Sequence, residues 1–392
     1  MTATRSRWPV IAAFALVSAA TQVLWLNFAG VTTVAAGHYA VSETAIGWLA
    51  QVFPLLYIVL SIPAGLILDR WFRAGLGTGA VLTALGAIIR LGGDGYGWLL
   101  AGQLVVAVAQ PLVLNAITGI SGRYLPEQDR PTGIAVGTAS TFAGMVIAFV
   151  LSAILPRGDQ LQLLLILSAA FAVVAAVILL VALRNEGEHR GSIVRGALRT
   201  TWNDRFIRKL CLLVVFPFGV FVALTTFSQA LLEPSGVSGG VASTILLLNV
   251  VAGVIGCAVI PILVVRHRVE VRLLTTALVL TAVGCLVLAV IPGTVSGFVA
   301  LAAIGFLLLP SLPIVLELVE RRTGEAEGTA AGLIWLAGNA GGLLVAILTG
   351  LLVHHPFTAF ITLAAVALIA VPGAWSLRPA VAAMRPPVPV DT

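Results

Sequence analysis

Few residues in this chain are equipped for chemistry, and most of those sit inside long apolar stretches, where a polar group must face protein or a cavity. Gln22 and Trp25 fall three residues apart on one helical face; Trp48 and Gln51 repeat that spacing, with Tyr57 roughly opposite. Gln103 and Gln110 stand two turns apart, Thr225, Thr226 and Gln229 group on a later stretch, and Trp335 pairs with Asn339 on another. Such residues recognise rather than react: amides hydrogen-bond, and an indole offers its π-face to a desolvated cation. They also have structural uses, since amides bridge helices and tryptophans anchor at the lipid interface. No GxSxG, HExxH or P-loop pattern occurs, so neither an enzyme nor an ATP-driven pump is expected. Among the acids only Glu317, one turn before Glu320, approaches the middle of a stretch; it is the one candidate for proton coupling and reads as a charge at a helix end. His38, His354 and His355 fall at stretch ends. His354 and His355 are adjacent rather than i, i+4, so no metal and no cofactor is expected.

The elements that hold these residues follow from composition. The 392 residues are 59% hydrophobic and only 10% charged, with a mean hydropathy of +1.08. That balance excludes a water-soluble domain and predicts an integral membrane protein of many spans. Apolar runs of about 20 residues predict spans near 8–36, 44–67, 74–92, 97–121, 131–155 and 161–183. After a polar segment come spans near 206–233, 239–265, 271–291, 294–319, 327–352 and 356–377. The formal charge of +6 does not point to nucleic acid, because the basic residues occupy short loops between spans. Of 22 basic residues only Arg90 and Arg157 fall on the second side of this topology. The asymmetry places both termini and the linker in the cytoplasm, the protein lying in the inner (plasma) membrane. In the linker, 184–205, Ile193, Val194, Ala197 and Leu198 recur at helical spacing among arginines and predict a short helix on the inner membrane face. The tail, 378–392, is Pro-rich and expected to be disordered. Cys211, Cys257 and Cys285 are widely spaced within apolar runs and read as packing residues.

Between the second and third spans runs Gly65-Leu-Ile-Leu-Asp69-Arg70-Trp-Phe-Arg73. An acid at a helix terminus beside two arginines forms a small charged latch, and Gly65 lets a neighbouring helix approach closely. The stretch resembles the signature loop of the major facilitator superfamily, with Phe72 and Arg73 where that loop has a glycine before its last basic residues. A weak echo after span 8 (Arg266, His267, Arg268) and between the turns after spans 4 and 10 accords with parallel repeats. The expected fold is therefore an all-α membrane protein of 12 transmembrane helices in two six-helix bundles, 1–183 and 206–377, the major facilitator fold.

Several stretches are similar to the feline leukaemia virus subgroup C receptor family: Ile46 through Tyr57 followed by Pro63 and Asp69, Leu85 to Arg90, Gly102-Gln103 with Gln110, and Val319 through Leu333. The resemblance implies choline, ethanolamine or haem as cargo and assigns Trp25 to the position that packs against a quaternary ammonium. Two positions depart from it. Ser140-Thr141-Phe142 stands where the family has an amide, Phe142 offering an aromatic wall instead, and Asn339 replaces a longer Gln. Helix five carries Gly133 and Gly137 rather than the Gly-Pro signature of proton-driven drug antiporters. The expected function is alternating-access transport of a small organic solute, a choline-like cation among the candidates, by a monomer. The substrate-binding residues would be Gln22, Trp25, Trp48, Gln51, Gln103, Gln110, Phe142, Gln229, Trp335 and Asn339, and the latch Gly65, Asp69, Arg70 and Arg73. A haem or drug exporter and a non-transporting receptor on the same scaffold are the alternatives.

Overall fold

The computed structural model describes residues 7–184, 197–323 and 327–384. Among the described residues, twelve apolar helical segments are long enough to cross a membrane. In chain order they are α1 (Trp8–Leu26), α2 (Glu43–Arg70), α3 (Phe72–Ile89), α4 (Tyr96–Leu114, continued as Ala116–Tyr124), α5 (Arg130–Ile154) and α6 (Leu161–Ala182). The second six are α7 (Arg205–Leu232), α8 (Gly239–His267), α9 (Glu270–Val290), α10 (Thr294–Leu308, continued as Ser311–Thr323), α11 (Glu327–Leu351) and α12 (Pro356–Trp375). Helices satisfy every backbone group within the segment, which is what a lipid environment demands.

The packing repeats with an offset of six. Helix α1 lies on α5 and α6, α2 on α4, and α3 on α4 and α6; α7 lies on α11 and α12, α8 on α10, and α9 on α10 and α12. Across the two sets, α2 packs on α11 and α5 on α8. Glycines set these close approaches at matching places. A Cβ on Gly144 of α5 would stand 2.3 Å from the Ala19 carbonyl oxygen of α1, and one on Gly341 of α11 would stand 2.1 Å from the Val215 carbonyl oxygen of α7. Both glycines lie fourteen residues into their helices, so the same contact is built twice. Small residues bring backbones within van der Waals reach, the main attraction left where lipid is as apolar as the helices.

Three departures from the predicted spans have physical causes. The run 8–36 is not one helix: α1 ends at Leu26 and a short helix, Thr32–His38, follows. Apolarity continues past the turn because Phe28, Val31 and Ala35 bury in a second cluster against Leu49, Leu99 and Leu161. Helix α10 breaks between Leu308 and Ser311, where Pro310 lacks an N–H and crowds the preceding turn. The tail residues Arg378–Ala383 form a short helix, anchored by the Arg378 guanidinium 4.2 Å from the Trp375 ring centroid. Residues 185–196 of the linker and 385–392 of the tail lie outside the described residues; Ala197–Asn203 is helical.

Arg90, one of the two basic residues on the sparsely charged side, is fully buried. It donates from Nη2 to Asn27 Oδ1 at 2.9 Å and from Nη1 to the Leu24 carbonyl at 3.3 Å, closing the C-terminal end of α1 with positive charge. Asn27 in turn donates to Ser168 Oγ at 3.1 Å, which draws α6 into the same knot.

Gly144→Leu should cost about 1–3 kcal/mol by forcing α1 and α5 apart, read as a lowered unfolding temperature in detergent. Gly97→Ala, where an added Cβ meets nothing within 4 Å, should change stability by less than about 0.5 kcal/mol.

Candidate functional site

The contact between α2 and α11 begins with four residues at four-residue spacing: Tyr57, Ser61, Gly65 and Asp69. That spacing places them on one face. Ser61 Oγ donates to the Gly332 carbonyl at 2.7 Å. A Cβ on Gly65 would stand 2.6 Å from the Gly328 carbonyl oxygen, so only glycine admits α11 this closely. Asp69 accepts the backbone N–H of Gly328 at 2.7 Å and of Thr329 at 3.0 Å, together with the Thr329 hydroxyl. A carboxylate thus sits on the open N-terminus of α11, where the first amides lack intrahelical partners and the helix dipole is positive. Asn115, at the break in α4, locks the face from its other side, donating to the Ser61 carbonyl at 2.8 Å and accepting from the Tyr57 hydroxyl at 2.6 Å.

Asp69 reaches across to α11 rather than to its own arginines. The Arg70 guanidinium lies 4.3 Å from the Trp71 ring centroid, and Arg73 is exposed. A second set of charges closes the same end. Arg130 at the start of α5 pairs with Glu320 of α10 at 3.1 Å, Arg322 with Asp204 at 2.8 Å, and Arg321 with Glu270 at 3.2 Å and with Glu317. Asp204, which also caps α7 through the Phe206 N–H, would be pushed up by burial; the Arg322 and backbone hydrogen bonds nevertheless hold its carboxyl below the usual carboxylate range.

Above this closure aromatic rings run from one set of helices to the other. Tyr57 of α2 lies 6.1 Å from Trp335 of α11, Trp335 lies 6.1 Å from Phe218 of α7, Phe218 6.5 Å from Phe221, and Phe221 5.8 Å from Phe142 of α5. Trp335 is buried and its indole N–H has no acceptor among the described residues. A donor left so is costly, and a solute with an acceptor would satisfy it.

The remaining amides and indoles are distributed among other tasks. Trp25 stacks on Phe53 at 6.0 Å and donates from Nε1 to the Ala50 carbonyl at 2.8 Å, keeping α1 on α2. At 1.5 Å per residue it stands about 25 Å along α1, against about 12 Å for Trp335 along α11. Gln103 donates to the Leu24 and Leu49 carbonyls at 2.9 and 3.0 Å and so bridges α1, α2 and α4, its carbonyl oxygen remaining unpartnered. Gln22 is buried in the α1–α5 contact and donates weakly to Thr21 at 3.3 Å. Asn339 donates to its own helix at the Trp335 carbonyl. Trp48, Gln51 and Gln229 are exposed. The structure therefore brings Trp335 and Phe142 into one series and leaves Trp25, Trp48, Gln51, Gln103 and Gln229 outside it.

Phe218, Phe221, Ser61 and Asn115 were missed from sequence. The four-residue spacing through Tyr57 and Asp69 was a usable signal for Ser61; nothing local distinguished Phe218 and Phe221 from the neighbouring lipid-facing apolar residues.

Comparison with known proteins agrees with this architecture. Residues 10–346 match the family model described as Major Facilitator Superfamily. Solute carrier family 49 member A3 of Danio rerio is 26% identical over 360 residues, covering 86% of this chain and 76% of the relative. The human choline/ethanolamine transporter FLVCR2 is 23% identical over 385 residues, covering 90% and 73%. In fold, the chain is similar to the transporter FucP in the outward conformation (TM-score 0.76, 16% identity, 94% of this chain and 99% of that one). It is likewise similar to the human organic anion transporter MFSD10 (TM-score 0.80, 14% identity, with the same coverage). With two interlocked sets of six helices, an acid-capped α11 and a match along most of its length, this chain belongs to the Major Facilitator Superfamily of membrane transporters.

Proposed function

We propose that the protein is a secondary transporter that carries a small organic cation of the choline or ethanolamine type by alternating access. The observation that carries this reading is the ring series from Tyr57 through Trp335, Phe218 and Phe221 to Phe142, which joins both sets of helices. Aromatic faces stabilise a desolvated ammonium by about 0.5–2 kcal/mol each. Trp335, which touches both Tyr57 and Phe218, contributes its ring face to that contact. Gln110, buried on α4 without a hydrogen-bond partner among the described residues, and Asn339 supply further polar contacts, and Trp25 with Phe53 lines the route farther out. The similarity to choline/ethanolamine transporters supports the same class.

In this reading residues 1–183 and 206–377 are the two moving bodies, 184–205 connects them, and the arginine-rich end faces the cytoplasm. Asp69 on α11 and Arg130 on Glu320 are the inner latch, so the structure corresponds to a state sealed from the cytoplasm. Opening that end exposes the rings to the other side without breaking any helix.

Proteoliposomes containing the purified protein should take up labelled choline or ethanolamine saturably. Trp335→Leu should weaken binding by about 2- to 30-fold, the equivalent of one cation–π contact. Saturable binding without flux would overturn transport in favour of a receptor, and undiminished affinity in Trp335→Leu would remove the ring series from the site. Asp69→Asn, which withdraws charge from the α11 terminus, should shift the conformational balance toward opening at the arginine-rich end by about 2- to 30-fold. Distances between spin labels across that end read the shift. Transport should fall with little change in affinity, and unchanged distances together with unchanged flux would dismiss the latch.

A further inference from the structure

Three of the five rings in the series have a second side. Phe142, Phe218 and Phe221 form one wall of a cavity of about 30 Å³ between α7, α9 and α10, with Leu274 and Leu278 of α9 opposite. The one polar side chain in its lining is Ser311, at the break in α10. Ser311 is 6% exposed, and its hydroxyl has no hydrogen-bond partner among the described residues. The cavity reaches behind α7 to α9. It thus adjoins the ring series and, apart from Phe142 of α5, is lined by one set of helices.

An apolar void of this size holds about two or three water-sized groups, but a single hydroxyl offers a water too few partners to settle there. The lining loses dispersion contacts that an alkyl group would restore. We propose that this side pocket receives the arm of the transported cation: an alkyl chain of about two or three carbons, bearing a hydroxyl or carbonyl that meets Ser311. The pocket would then select the solute's arm while the rings hold its ammonium. The inference rests on the reading of the rings as the cation site, and it makes Leu274, Leu278 and Ser311 specificity-determining residues.

The test is a binding series on the purified protein with trimethylammonium ions carrying methyl, ethyl, propyl, butyl and hexyl arms, and with the 2-hydroxyethyl arm. Affinity should rise about 4-fold per methylene up to about three carbons and then level off. The hydroxyethyl arm should bind more tightly than propyl, the chain of matching length. Leu278→Phe, or Leu274→Phe if the first does not fold, fills the pocket and should flatten the series. Ser311→Ala should keep the rise with chain length and lose the preference for the hydroxyl. A flat series in the unaltered protein, or a rise that persists in the filled variants, would overturn the proposal. If no ammonium binds, the cation reading itself fails. The pocket is then read with uncharged n-alcohols: a rise over the same chain lengths that Leu278→Phe abolishes keeps the pocket, and a flat response removes it.

Discussion

The carboxylate of Asp69 on the first amides of α11 is the contact on which much of the molecule's arrangement depends. A helix that starts near the edge of the hydrocarbon has free N–H groups that must find partners, and a negative charge is the strongest partner available. Once Asp69 supplies it, the register between α2 and α11 is set. Gly65 then lies against Gly328 and Ser61 reaches Gly332, and Tyr57 comes to the level of Trp335. The ring series begins there. Thus a polar contact at one end of the interface determines which aromatic residues meet about two turns farther along α11 and three along α2.

The repeat of six helices is closer in packing than in chemistry. Gly144 against Ala19 and Gly341 against Val215 are the same close approach in two places, whereas the two junctions between the sets differ. Helix α2 ends in an acid aimed at α11, but α8 ends in Arg266 and His267. The end of α10 instead meets α5 through Glu320 and Arg130. A carboxylate on a helix terminus and an ion pair respond differently to hydration: the pair loses most of its attraction once water enters, because each charge is then solvated separately.

Family membership and cargo rest on different physics. The fold rests on lengths, close approaches and a helix-capping acid, which tolerate wide substitution among apolar residues, so identities of 14–16% still accompany the same fold. Cargo depends on a few side chains. Here those side chains form an aromatic and largely uncharged surface, with an indole N–H and a serine hydroxyl that have no hydrogen-bond partner among the described residues.

Composition, span length and the placement of arginines determine, without coordinates, that this is a twelve-span membrane protein with one strongly basic side. The Asp69 turn and Trp335 are also legible, because a charge at a span end and an indole mid-span are exceptional in an apolar chain. The sequence does not reveal what those residues touch. A helix apolar on every side carries little periodic signal of which face meets protein and which meets lipid. Phe218 and Phe221, Trp25 on the Ala50 carbonyl, Gln103 across two helices and buried Arg90 were therefore decided by packing alone. The sequence names the polar groups; only the tertiary structure decides which are taken by neighbouring backbone and which, like the Trp335 N–H and the Ser311 hydroxyl, have no partner among the described residues. Each donor has few possible partners, and helix packing chooses among them.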